Sequence, residues 1–145
     1  IKGGNAIDPW GAVGVLTSAK TGGTVGRYIA PAVARGVELV IPIGLGKAVF
    51  TPISEISQEL GIGRIDLCMG TPAGMFPLHG RTVTEVDALE LLFPVRATHV
   101  ASGGVGPGAG SVSILIEGKE KDVWDAFTLV ESLQGEPEVR LEGAG

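Results

Sequence analysis

Glycine constrains this chain more than any other feature. There are 24 glycines among 145 residues, more than twice the usual share of about 7%. They follow no Gly-X-Y period, which excludes a collagen-like rod. Hydrophobic residues make up 44% of the chain and its mean hydropathy is +0.35, which excludes a disordered polyampholyte. Such a chain must fold into a packed globule whose glycines sit in many tight loops. Its length suits a single domain, placed at 1–139, with residues 140–145 as a loose tail.

The pattern between the loops alternates strand and helix. Two short apolar runs, Asn5-Ala6-Ile7 and Ala12-Val13-Gly14-Val15-Leu16, flank Asp8-Pro9-Trp10-Gly11, which has the Pro and Gly placement of a reverse turn. That predicts a β-hairpin. Thr24 is the expected N-cap of a helix in which Tyr28, Ile29, Ala32 and Val33 face inward, kinked or split at Pro31 and ended by Gly36. The run 37–43 reads as a strand covered on both faces, 53–60 as a short helix, and 64–69 as a second buried strand. Thr84 and Asp87 form a capping-box signature for a helix over 85–92. Strands are expected at 97–101 and 111–116. A helix follows over 119–134, with Val123, Ala126, Phe127, Val130 and Leu133 as its apolar stripe, Gly135 as its C-terminal cap and Pro137 beyond it. The order implies an α/β fold with three layers around a mostly parallel, mixed sheet.

Several functions are disfavoured at once. The net charge is −5 with 11 scattered basic residues, which does not suit recognition of a nucleic-acid backbone. No apolar stretch approaches the roughly 18 residues of a membrane span. Cys68 is the one cysteine, and His79 and His99 stand alone. No metal site, disulfide or cofactor is implied, and a cytoplasmic setting is expected. The chain opens on Ile1 without a signal-peptide pattern, as in a processed chain or a piece of a longer one.

The glycines cluster where α/β proteins bind ligands, after strands and before helices. Gly44-Leu45-Gly46-Lys47, Gly70-Thr71-Pro72-Ala73-Gly74 and Ser102-Gly103-Gly104 each follow an expected strand. Convergence of these loops would build a phosphate or carboxylate pocket holding Lys47, Thr71, Ser102 and Gly104. A sharper signal is Thr21-Gly22-Gly23-Thr24-Val25-Gly26-Arg27, where glycines open a helix. There Gly22, Gly23 and Thr24 would offer backbone N–H groups to an anion and Arg27 a bidentate contact. Glu85 and Asp8 are the candidate proton-transfer residues, although Glu85 also suits a helix first turn and Asp8 a turn. No base is recognisable for Ser102. Gly104, Gly106, Gly108 and Gly110 precede a strand instead of a helix, unlike a dinucleotide fingerprint.

Two stretches resemble the superfamily of ribose-5-phosphate isomerase, glucosamine-6-phosphate deaminase and CoA transferases. Thr21-Gly22-Gly23-Thr24-Val25 is similar to the phosphate loop of its sugar-phosphate isomerases. Gly3-Gly4-Asn5-Ala6-Ile7-Asp8 followed by Gly11 is similar to a strand-turn of the lactate-utilisation domains. The resemblance covers about a fifth of the chain and implies an isomerase- or CoA-transferase-like fold. It carries over only the phosphate-loop positions, because neither the acidic isomerase motif nor the CoA-transferase glutamate motif is present. The expected function is binding of a small anionic metabolite, as enzyme or sensor, by a homo-oligomer. The alternative is a non-enzymatic oligomeric assembly domain, suggested by more apolar residue than one small core absorbs.

Overall fold

The computed structural model describes residues 1–136; the sequence expectations for Pro137 and the tail lie outside them. The strands are β1 (Ala6–Ile7), β2 (Val13–Thr17), β3 (Val40–Pro42), β4 (Gly74–Leu78), β5 (Arg81–Val83), β6 (Arg96–Gly103) and β7 (Ser111–Glu117). The helices are α1 (Gly23–Ala34), α2 (Ile53–Glu59), α3 (Glu85–Leu92) and α4 (Glu120–Leu133). The fold is mixed α/β.

The strands pair in three small sheets: β1-β2-β4, β3-β5 and β6-β7. Among the described strand pairs only β3-β5 is parallel. This departs from the mostly parallel sheet expected of the sequence, and the reason is local. The stretch 64–69 forms no strand; it lies in turns, with Leu67 93% exposed. An apolar run bracketed by glycines has the composition of a buried strand without necessarily having its partners. The strand that does form, β4, contains Pro77, and it lies at the edge of its sheet, where a missing N–H costs no ladder bond.

The first core gathers Ile7, Val13, Val15, Val25, Ile41, Ile43 and Leu78, so that β1–β4 and α1 share one apolar interior. α1 runs through Pro31 as a single helix. Pro31 and Arg27 are both exposed, so water reaches the carbonyl that the proline leaves without a donor. The buried face of α1 carries Val25 with Ile29 packed beside it. Tyr28 and Val33, expected inward, are 58% and 70% exposed. The second core is smaller: Leu89, Ala97 and Ala126, with Val86, Phe93, Ile114 and Ile116 against them. A two-stranded sheet is too narrow to cover the whole stripe of α4, so Ala126 is buried while Phe127, Val130 and Leu133 stay exposed. α3 begins as its sequence indicates, with Thr84 and Asp87 exchanging hydrogen bonds in a capping box.

One carboxylate organises the N-terminal half. Asp8 is 7% exposed. Its Oδ1 accepts from the N–H groups of Trp10 at 3.0 Å and Ala12 at 2.9 Å, which closes the β1–β2 turn. Its Oδ2 accepts from Ile53 N–H at 3.0 Å, so it also serves the first turn of α2, whose own N-cap, Pro52, has no side-chain bond to offer. The Asp8→Ala variant leaves a buried N–H unpaired and opens the turn. It is expected to lose about 3 kcal/mol of stability, read as a lower denaturant midpoint at unchanged slope.

Candidate functional site

β2 ends at Thr17, and the chain turns through Ser18–Gly22 into α1. The turn requires its glycines. Gly22 has φ +75°, the left-handed region. A Cβ on Gly26 would collide with the Thr21 carbonyl oxygen. The Gly26 N–H donates to Gly22 O at 3.0 Å and the Gly22 N–H to Ala19 O at 2.8 Å, so the entry to the helix is tightly wound. Gly22, not Thr24, occupies the N-cap position, and no side chain caps the helix.

The N–H groups of Gly23, Thr24 and Val25 therefore have no acceptor within the helix. They border a cleft of about 320 Å³ lined by Lys2, Asn5, Ser18, Gly22, Gly23 and Thr24, among others. α1 has no acidic residue in its first turn. Each of the other three helices does: Glu55 in α2, Glu85 and Asp87 in α3, Glu120 and Asp122 in α4. The positive end of the α1 dipole is thus not neutralised by its own first turn. Lys2 adds a cation beside it, its Nζ donating to Gly3 O at 2.6 Å. Asn5 Oδ1 accepts from Leu16 N–H at 3.0 Å, which holds the Asn5 side chain at this edge. Arg27 lines an adjoining hollow of about 250 Å³ together with Thr21, Gly23, Thr24 and Tyr28. Its guanidinium lies 6.0 Å from the Tyr28 ring centroid, within cation–π range.

Lys47, Glu85 and Ser102 gather elsewhere, around a short 3-10 turn at Leu45–Lys47. The Leu45 N–H donates to both Glu85 carboxylate oxygens, at 2.9 and 3.1 Å. Lys47 Nζ donates to Gly4 O at 2.9 Å. Ser102 Oγ reaches Leu45 O at 3.3 Å and His99 Nε2 at 2.8 Å. Pro42, Ile43, Gly44, Lys47, Val83, Glu85 and Ala88 border a hollow of about 370 Å³ on this side. Gly104 follows two residues after Ser102, in the loop to β7.

The glycine loops singled out in the sequence are divided between these two places. The 22–27 loop and the end of the 70–74 loop meet at the end of β2, where Gly74 lies opposite Thr17. The 44–47 and 102–110 loops meet at the second, where Gly46 approaches Gly110 and Val112. Thr71 is exposed and borders neither cleft. Asp8 and Glu85 each hold backbone N–H groups, at separate points of the chain.

Sequence reading missed His99. Strict strand alternation puts residues 99 and 102 on opposite faces. In β6 the register shifts between His99 and Ala101: His99 pairs with Ile114, Ala101 with Ser113 and Ser102 with Val112. That bulge brings His99 and Ser102 to the same face of the sheet. The spacing alone holds no sign of a bulge.

No family model matches the chain, and no curated protein or solved structure matches it significantly. Two substitutions test the geometry directly. Gly26→Ala is expected to unwind the entry to α1, seen as faster amide hydrogen exchange at residues 23–27. Glu85→Ala strips the Leu45 N–H of both acceptors and is expected to cost about 2 kcal/mol, with faster exchange at Leu45 and little change around α1.

Proposed function

We propose that this chain binds a small phosphorylated or carboxylated metabolite in the cleft at the N-terminus of α1. One observation carries the reading. The only described α-helix without an acidic residue in its first turn also lacks a side-chain cap, and it borders a cleft that Lys2 lines. Backbone N–H groups, a helix dipole and an ammonium together favour an anion of phosphate or carboxylate size. The glycine entry lets the ligand approach the main chain closely. Arg27 closes the outer side from the adjoining hollow.

The resemblance to the ribose-5-phosphate isomerase and CoA-transferase superfamily belongs to the same proposal. The glycine entry to α1 supports it. Phosphate recognition in a sensor or an enzyme would then use this loop, in the cytoplasm, where the exposed Cys68 thiol stays reduced. Among the described residues no helix is long and apolar enough to cross a membrane.

A second reading, an oligomeric assembly domain, is favoured by the apolar residues that α4 leaves uncovered. Trp124, Phe127 and Leu133 are all exposed on that helix. The two readings are compatible, since an oligomer can carry a ligand site.

Thermal-shift measurements against sugar phosphates, CoA esters and small carboxylates test the first. A ligand at about 100 times its Kd stabilises by about 2.7 kcal/mol, a rise of several degrees in Tm for a chain of this size. Thr24→Asp places a carboxylate in the first turn of α1. It is expected to raise the ligand-free stability by about 0.3–1 kcal/mol and abolish the ligand response. An unchanged response in Thr24→Asp, or none from any anion in the wild type, rejects the cleft as the site. Sedimentation of Phe127→Lys beside the wild type reads the assembly: a mass reduced in the variant supports an interface on α4.

A further inference from the structure

We propose that Ser102 is an acyl-accepting nucleophile with His99 as its general base, acting on small activated esters or thioesters. The pair does not depend on the anion cleft, and its test reads a covalent adduct in place of a thermal shift.

Nucleophile and base must lie within hydrogen-bond reach. Ser102 Oγ and His99 Nε2 are 2.8 Å apart. The alternative acceptor for the hydroxyl proton, Leu45 O, is farther at 3.3 Å. With the neutral imidazole protonated on Nδ1, Ser102 donates to Nε2, the arrangement that general-base activation needs. Both side chains are exposed, so a substrate reaches them.

Their positions are fixed from beneath. The β6 bulge turns both to the face that carries Ile114 and Val112. Leu45, whose carbonyl touches Ser102, is itself held by the two oxygens of Glu85. Glu85 is therefore a positioning residue here: its carboxylate acts on the reacting pair through the Leu45 turn. The chain just past Ser102 is Gly103-Gly104, with no side chain to block a carbonyl carbon. The N–H groups of Gly104 and Val105 have no hydrogen-bond partner among the described residues. They are main-chain donors two and three residues past Ser102 that a developing oxyanion would use.

The step balances without a cofactor. Ser102 Oγ forms a bond to the acyl carbon while its proton passes to His99 Nε2. The bond from the acyl carbon to the leaving oxygen or sulfur then breaks, and the leaving group takes the proton from His99. Water, deprotonated by His99, releases the acid and restores the hydroxyl. No carboxylate hydrogen-bonds to the His99 ring among the described residues, so the pair works as a dyad.

The test is labelling of the whole chain with a fluorophosphonate and turnover of p-nitrophenyl acetate, with the adduct located by peptide mass mapping. The expected result is one adduct, on Ser102, absent in Ser102→Ala. His99→Gln is expected to slow labelling about 100-fold without moving the melting temperature, and Ser113→Ala, nearby on β7, to leave it unchanged. Glu85→Gln should slow acylation less than His99→Gln does. No adduct on the folded wild type, an adduct on another residue, or equal labelling rates in wild type and His99→Gln would overturn the proposal.

Discussion

The Asp8 carboxylate is the constraint on which the N-terminal half depends. Burying an ionised group is costly unless its oxygens are met by donors. Here three backbone N–H groups from two separate segments meet them. The same contacts fix the β1–β2 turn and the start of α2, which places Ile53, a fully buried residue, beside the hairpin. With β2 held in this way, Val13 and Val15 pack into the first core and Thr17 delivers the chain to the entry of α1. The cleft at the N-terminus of α1 is thus positioned by a carboxylate that does not line it.

Glu85 plays a comparable part for the second core. Its two oxygens on one N–H join α3 to the 44–47 turn, and that turn touches both β6 and β7. In each half, an acidic residue that resembles a proton-transfer group by type and location accepts hydrogen bonds from the main chain. The distinction between the helix starts follows from the same electrostatics. α3 satisfies its first turn with Thr84 and Asp87, whereas α1 offers glycine and no acid. An intrinsic cap removes the field that a ligand would otherwise neutralise.

Much of the local structure was legible in the sequence. The Asp8–Gly11 turn, the capping box at Thr84 and Asp87, the alternation of Val112, Ile114 and Ile116, and the last helix all have short-range signals, and all form as expected. Pairing was less legible. Nothing within Arg64–Met69 distinguishes a buried strand from an exposed apolar loop, and Pro77 weakens the strand signal of β4. The glycines after expected strands did mark two real junctions. Which loops meet at which junction depends on β2 pairing with β4 and β3 with β5, contacts between distant segments. His99 beside Ser102 was hidden for a related reason, since one extra residue in β6 reverses the face on which every later side chain appears.

The parallel pairing of Val40–Pro42 with Arg81–Val83 also has a consequence for the order of events during synthesis. β2 cannot complete its sheet until the chain has been made past residue 78, nor β3 until it has been made past residue 83, because β4 and β5 supply their partners. Closing such distant contacts carries the larger entropic cost and is slow. The β6–β7 hairpin and α4 are assembled from neighbouring residues. The segment made last is therefore the one with the shortest search, and the N-terminal apolar residues must wait longest, uncovered, for theirs.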